Sequence, residues 1–320
     1  MKTATFLLIT AVLAAAFPTA ALPQAPTQKT PAPAGPQVQT GANSNEENVQ
    51  YGSQNGTALL LDIYKPSLPA AQPRRAVILI HGGGWTSYDK GTLRGMGAFL
   101  ARSGFVAFAV DYRLFHGTEN RWPAQLDDVQ RAVRWIRANA AKYDVNPDRM
   151  GAFGHSAGAQ LAALLGLEDT RENSVPELAK FSSRVQAVVD VSGPTDFTTA
   201  RDAESLGFLA EFLGGKLDQH PDIWRDASPA YHVTKDAAPF LIVHRTRDEN
   251  VKLEQAQELY EKLKAVGVSV SFEEVDDGIL FKIPRYGTNS RSIRVSSSIG
   301  NWVQRPERLL QARKITCTRA

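Results

Sequence analysis

The chain has 320 residues, 43% of them hydrophobic and 22% charged, with a formal net charge of +3. That is enough apolar material for one large core, and the length does not by itself demand two domains. So small a net charge gives no electrostatic footprint for nucleic acid or an anionic membrane surface.

The N-terminus reads as an export signal. Lys2 precedes an apolar run from Ala4 to Phe17, and cleavage after Ala21 with Thr19 at the −3 position fits the small-residue rule. This predicts a signal peptide over 1–21, no membrane span once it is removed, and a secreted or periplasmic location. Residues 22–48 are rich in Pro, Gln, Thr, Ala and Gly. Such a segment buries too little to offset its ordering entropy, so a disordered linker is expected.

The folded part is expected over 49–278. Leu59–Tyr64, stopped by Pro66, reads as a strand. The runs Arg75–Ile80 and Phe105–Val110 are short, apolar and partly β-branched, as strands covered on both faces are. Gly91–Ala101 fits a helix between them. Pro123 opens a helix predicted over Ala124–Lys142, where Leu126, Val129, Val133 and Ile136 recur at helical spacing. A strand over Met150–Phe153 and a helix over Ala157–Leu167 follow, then strands over Val185–Val191 and Pro239–Val243. Leu253–Val266 reads as an amphipathic helix, and Val268–Val275 as a strand near a sheet edge. Strands alternating with helices predict an α/β fold, a mostly parallel sheet covered on both faces, with ligands at the carboxyl ends of the strands. Arg201–Asp226 follows no readable pattern and is taken as a cap insertion.

The chemistry sits at those strand ends. Gly154-His155-Ser156-Ala157-Gly158 lies between an apolar strand and an Ala-rich helix. In that context the serine occupies a tight elbow with its hydroxyl exposed, and the Ala157 amide at the helix N-terminus can donate to an oxyanion. His81-Gly82-Gly83-Gly84-Trp85 follows another strand, where glycines let backbone amides approach a substrate oxygen. Gly83 and Gly84 are the candidate donors, and His81 reads as structural. Asp248, in the loop after the strand ending at Val243, is the candidate acid, with Glu249 its rival. Asp127 and Asp128, in the first turn of their helix, read as structural. No metal-ligand cluster or cofactor motif stands out, and Cys317 is the only cysteine, so no intrachain disulfide is possible.

These motifs, with Asp111-Tyr112-Arg113-Leu114, Pro123-Ala124-Gln125-Leu126-Asp127-Asp128-Val129, the Ser192-Gly193-Pro194-Thr195-Asp196-Phe197 turn and Leu241–Val251, resemble the α/β-hydrolase esterases of the hormone-sensitive-lipase and feruloyl-esterase-like branches. The resemblance runs from about Tyr51 to Gly278. It implies hydrolysis of a small-molecule carboxylic ester through an acyl-enzyme, without metal or organic cofactor. By it Ser156 is the nucleophile and Asp248 the acid, and Gly83, Gly84 and Ala157 form the oxyanion hole.

The pattern breaks at the base. The triad order on this fold is Ser, then Asp or Glu, then His, yet no histidine follows His244. Ile279 stands where such esterases carry the histidine, Arg245 where they carry Gly, and Lys252 where they carry Pro. From Ile279 onward nine basic residues face one acid, Glu307, a net of +8 that leaves −5 for the first 278 residues. Helical periodicity fades over the same 279–320 stretch. A single base lost from the gene before codon 279 would account for these features together, since every Ile codon shifted behind a restored C begins CAT, a histidine codon; the alternative is a natural, divergent tail. His155, His220 and His232 all read as structural. The expectation is therefore an esterase scaffold impaired by a missing base. The alternatives are a ligand-binding pseudohydrolase and a serine peptidase on the same fold.

Overall fold

The computed structural model describes residues 44–171, 175–200 and 202–275. Eight strands form one sheet in the order β1-β2-β4-β3-β5-β6-β7-β8. They are β1 (Ser44–Gln54), β2 (Thr57–Lys65), β3 (Arg74–Ile80), β4 (Val106–Val110), β5 (Val145–His155), β6 (Ala187–Val191), β7 (Phe240–Arg245) and β8 (Val270–Val275). The β1–β2 hairpin is antiparallel, β2 runs antiparallel to β4, and every later pairing is parallel. The helices are α1 (Arg94–Arg102), α2 (Ala124–Ala138), α3 (Ala157–Leu167), α4 (Ala203–Leu213), α5 (Pro221–Asp226) and α6 (Leu253–Ala265).

The apolar strand runs behave as their composition dictates. In β3, Ala76, Ile78 and Ile80 face the core beneath α2, α3 and α6, while Val77 and Leu79 face the core beneath α1. With period 2 and both faces covered, every position of the 76–80 run is apolar. On α2, Leu126, Val129, Val133 and Ile136 are fully buried. The α3 helix is buried all round, so it packs as a wholly internal helix, which explains its Ala and Leu content.

Several element boundaries differ from the sequence reading. The first strand begins at Ser44, inside the segment read as a disordered linker, because residues 44–54 pair with β2 and Glu46 forms an ion pair with Lys65 at 2.7 Å. The α2 helix stops at Ala138 rather than Lys142, where the Asn139 side chain turns back onto the Trp135 carbonyl at 2.8 Å. The 201–226 insertion contains α4, capped by Asp202 at its start and by Gly214 in the left-handed conformation at its end, followed by α5. The expectations for 1–43 and 276–320, including the signal peptide and the place of Ile279, lie outside the described residues.

Strand order fixes the site. From β3 the chain crosses through α1 to β4 on one face and returns through α2 to β5 on the other, so the crossovers part at the carboxyl ends of β3 and β5. A crevice opens at such a point in an open α/β sheet. The Gly-rich loop leaves β3 there, and the elbow leaves β5.

Candidate active site

Ser156 is the single residue between β5 and α3, with φ 53° and ψ −123°. An L-residue held there stores on the order of 1–3 kcal/mol of strain, which persists only where the surroundings over-determine it. Here they do. The Ser156 amide donates to the Val191 carbonyl at 2.8 Å, and its carbonyl accepts from the Ala159 amide at 2.8 Å to start α3. Gly158 shows why the motif needs its second glycine: a β-carbon there would lie 2.3 Å from the Ile80 carbonyl oxygen and 2.4 Å from that of His81. The first turn of α3 thus presses directly on the end of β3.

That contact sets the Gly-rich loop beside the serine. A β-carbon at position 82 would stand 3.3 Å from that of Ser156. Gly83 has φ +105°, and its carbonyl accepts from the Thr86 and Ser87 amides, each at 3.1 Å. His81 is buried and stacks on Tyr112 with ring centroids 4.3 Å apart. Burial pulls its basicity down, against the bond to the Gly82 carbonyl. The Tyr112 hydroxyl donates to the His81 carbonyl at 3.0 Å. His81 therefore braces the loop, as the sequence suggested.

A cavity of about 940 Å³ opens on Ser156, lined by Gly84, Trp85 and Ala157 on one side and by Asn250 and Val251 of the acid loop on another. Its roof is the inserted cap. Trp85 stacks on Phe212 of α4 at 4.8 Å and meets Phe197 edge-on at 5.6 Å. The Trp85 indole N–H donates to Gln160 at 3.1 Å, and Gln160 in turn donates to the Ala227 carbonyl at 2.8 Å. This aromatic roof was not read from the sequence, although Asp202 and Gly214 are start and stop signals for the helix that carries it.

Asp248 lies in the loop after β7 and is 7% exposed. Its Oδ1 accepts from the amides of Asn250 at 3.0 Å and Val251 at 3.1 Å. Its Oδ2 accepts from Arg245 Nε at 3.0 Å, and Arg245 Nη2 lies in ion-pair contact with the same oxygen at 2.8 Å. Burial pushes the carboxyl up, but those amides and the guanidinium outweigh it and hold it below the usual carboxylate range. Its rival Glu249 lines the cavity with an exposed side chain.

The other histidines are placed elsewhere. His155 precedes Ser156, and burial, then the charge of Arg245, lower its basicity while Asp248 raises it. His244 is buried, with Nε2 against the Val251 carbonyl at 2.8 Å. His232 pairs with Glu168 at 3.3 Å, and His220 is exposed at the start of α5. Asp128 is buried under Arg113, whose Nε lies 2.8 Å from it, which is a structural role. Among the described residues no group of His, Cys, Asp and Glu could hold a metal ion, and no helix is long and apolar enough to cross a membrane.

Comparison with known proteins agrees with this geometry. Esterase LipC of Mycobacterium tuberculosis is 34% identical over 232 residues, covering 70% of this chain and 56% of that protein. The probable carboxylic ester hydrolase LipM of the same organism is 32% identical over 229 residues, 70% of this chain and 52% of that one. The chain thus spans about half the length of these relatives. Among solved structures, a truncated carbohydrate esterase from gut microbiota superposes with a TM-score of 0.67 at 27% identity, over 82% of this chain and 95% of that one. The thermophilic esterase Est2 of Thermogutta terrifontis gives 0.66 at 25% identity, over 83% and 92%. The BD-FAE family model matches residues 61–263, which include the Gly-rich loop, the elbow and the acid loop, so the chain belongs to the BD-FAE family of α/β-hydrolase esterases.

Proposed function

We propose that this chain is a carboxylic ester hydrolase of the acyl-enzyme type whose turnover is held down by the missing triad base. The observation that carries the reading is Ser156, strained at the tip of β5 with its side chain on the wall of the 940 Å³ cavity. In the proposed reaction the Ser156 hydroxyl attacks the ester carbonyl carbon. The amide of Ala157, at the positive end of α3, stabilises the oxyanion together with the amides of Gly83 and Gly84. The alcohol leaves, and water then releases the acid. Asp248 is the acid of this set, and Ile279 stands where the base belongs. In another serine hydrolase, loss of the triad base costs on the order of 10⁶ in kcat, about 8 kcal/mol of barrier.

Steady-state hydrolysis of p-nitrophenyl acetate, with Ser156→Ala as blank, tests the reading. A slow rate that Ser156→Ala abolishes supports it. A rate within an order of magnitude of efficient esterases would show another group doing the base's work, and a folded protein with no rate above the blank favours a second reading. That reading is a ligand-binding pseudohydrolase, and the occupation of Asp248 by Arg245 is the observation in its favour. Export, with removal of residues 1–21, belongs to the same proposal. It is supported by Lys2 and the apolar run after it, and N-terminal sequencing of protein from the producing cell tests it.

A further inference from the structure

Arg245 is the last residue of β7, and it grips the acid three residues on. A carboxylate offers about four lone-pair positions, two on each oxygen. In Asp248 the amides of Asn250 and Val251 donate to Oδ1, and the Arg245 guanidinium holds Oδ2, with Nε donating to it and Nη2 in ion-pair contact at 2.8 Å. The acid of a serine triad must accept one bond from an imidazole N–H, to hold the ring's tautomer and to stabilise its charged form. Asp248 has that bond already, at Oδ2, from a permanent cation whose charge-assisted contact a neutral imidazole displaces poorly. The side chain of Asp248 is 3% exposed and that of Arg245 33%, so the pair is shielded more than a surface ion pair. Both charges also act on the basicity of His155, the residue before Ser156, Arg245 lowering it and Asp248 raising it.

We infer that Arg245 is a lock on the acid, a positioning residue whose side chain withholds Asp248 from any imidazole brought to Ser156. The inference rests on the esterase reading above and adds a second block to turnover, independent of the residue at 279. A base added from solution would remain unoriented while Arg245 holds Oδ2. With the lock removed, free imidazole entering the cavity can donate one N–H to Asp248. Its other nitrogen takes the Ser156 hydroxyl proton as Oγ bonds to the ester carbonyl carbon and nitrophenolate leaves with the electron pair of the broken C–O bond. The imidazolium then releases that proton to solvent, and in deacylation the freed nitrogen takes a proton from water as hydroxide displaces Ser156 Oγ, which recovers a proton from the imidazolium.

The test is hydrolysis of p-nitrophenyl acetate against imidazole concentration, for the full chain and for Arg245→Ala, Arg245→Gln and Arg245→Lys. Each is paired with its Ser156→Ala derivative, to subtract catalysis by imidazole in solution. Thermal unfolding by circular dichroism confirms that each is folded, and Arg245→Gln stands in if the alanine variant is not. The expected result is a Ser156-dependent, imidazole-dependent rate about 10²-fold higher in Arg245→Ala and Arg245→Gln than in the parent, the lower range of general-base catalysis. That rate should rise with pH through the titration of free imidazole, and Arg245→Lys, which keeps the cation, should fall between. Equal imidazole dependence in parent and variants, or folded variants with none, overturns the lock. A rate that never depends on Ser156 in any protein overturns the esterase reading itself.

Discussion

Asp190 carries the most quantitative prediction. It sits on β6, 1% exposed, with Oδ1 accepting from the Gly193 amide at 2.9 Å and Oδ2 meeting no partner among the described residues. Burial pushes its carboxyl from 3.8 up to about 6, against the one bond from Gly193. In the unfolded chain the group ionises near 3.8, so between that pH and about 6 the native state holds more protons than the unfolded one. Stability therefore falls as pH rises through this window, by up to about 3 kcal/mol at 1.36 kcal/mol per unit of pKa difference. Asp190→Asn keeps an acceptor for Gly193 and removes the titration. Urea unfolding of both proteins from pH 3.5 to 7.5 reads the difference directly. Groups common to the two cancel, so the stability of the variant relative to the parent should climb by a few kcal/mol from the low end of that range and level off above about pH 7. A relative stability independent of pH, or one that climbs in the opposite direction, would refute the reasoning.

Other predictions concern the elbow, the roof and the gene. Gly158→Ala places a β-carbon 2.3 Å from the Ile80 carbonyl oxygen, a backbone atom that cannot swing aside. It should cost at least about 2 kcal/mol in denaturant unfolding, and remove any Ser156-dependent rate by shifting the elbow. Phe212→Ala deletes a fully buried ring stacked on Trp85 at 4.8 Å. A loss of about 3–5 kcal/mol is expected for a cavity of that size, with a red shift of tryptophan emission as Trp85 is uncovered. Sequencing the coding DNA tests the shifted frame: a histidine codon one frame away at position 279 is expected, and its absence removes the idea.

The parts of this molecule fixed by local chemistry were legible in the sequence. The α3 helix runs over the range read for it, Ala157–Leu167, because the elbow glycine ends the strand and Glu168 closes an unbroken apolar stretch. The parallel strands were legible because burial on both faces forces continuous apolar runs. What escaped depended on distant partners. Ser44–Asn48 have a linker's composition and become strand only by pairing with β2. The α2 helix stops early because a side-chain bond at Asn139 turns the chain, not because its apolar spacing ends there. Arg245 was visible as an odd residue at a glycine position. That it would hold Oδ2 of Asp248 depends on how the 245–248 turn aims two side chains, which no spacing rule supplies.

The account stands most directly on whether Ser156 becomes acylated. A nitrophenolate leaving group needs no proton, whereas deacylation needs water activated by a base. Activated ester should therefore acylate this serine faster than water frees it. Intact-mass and peptide mass spectrometry after incubation with p-nitrophenyl acetate should find one acetyl group, on Ser156, and none in Ser156→Ala. Folded protein that carries no acetyl group, or carries it elsewhere, would contradict the account.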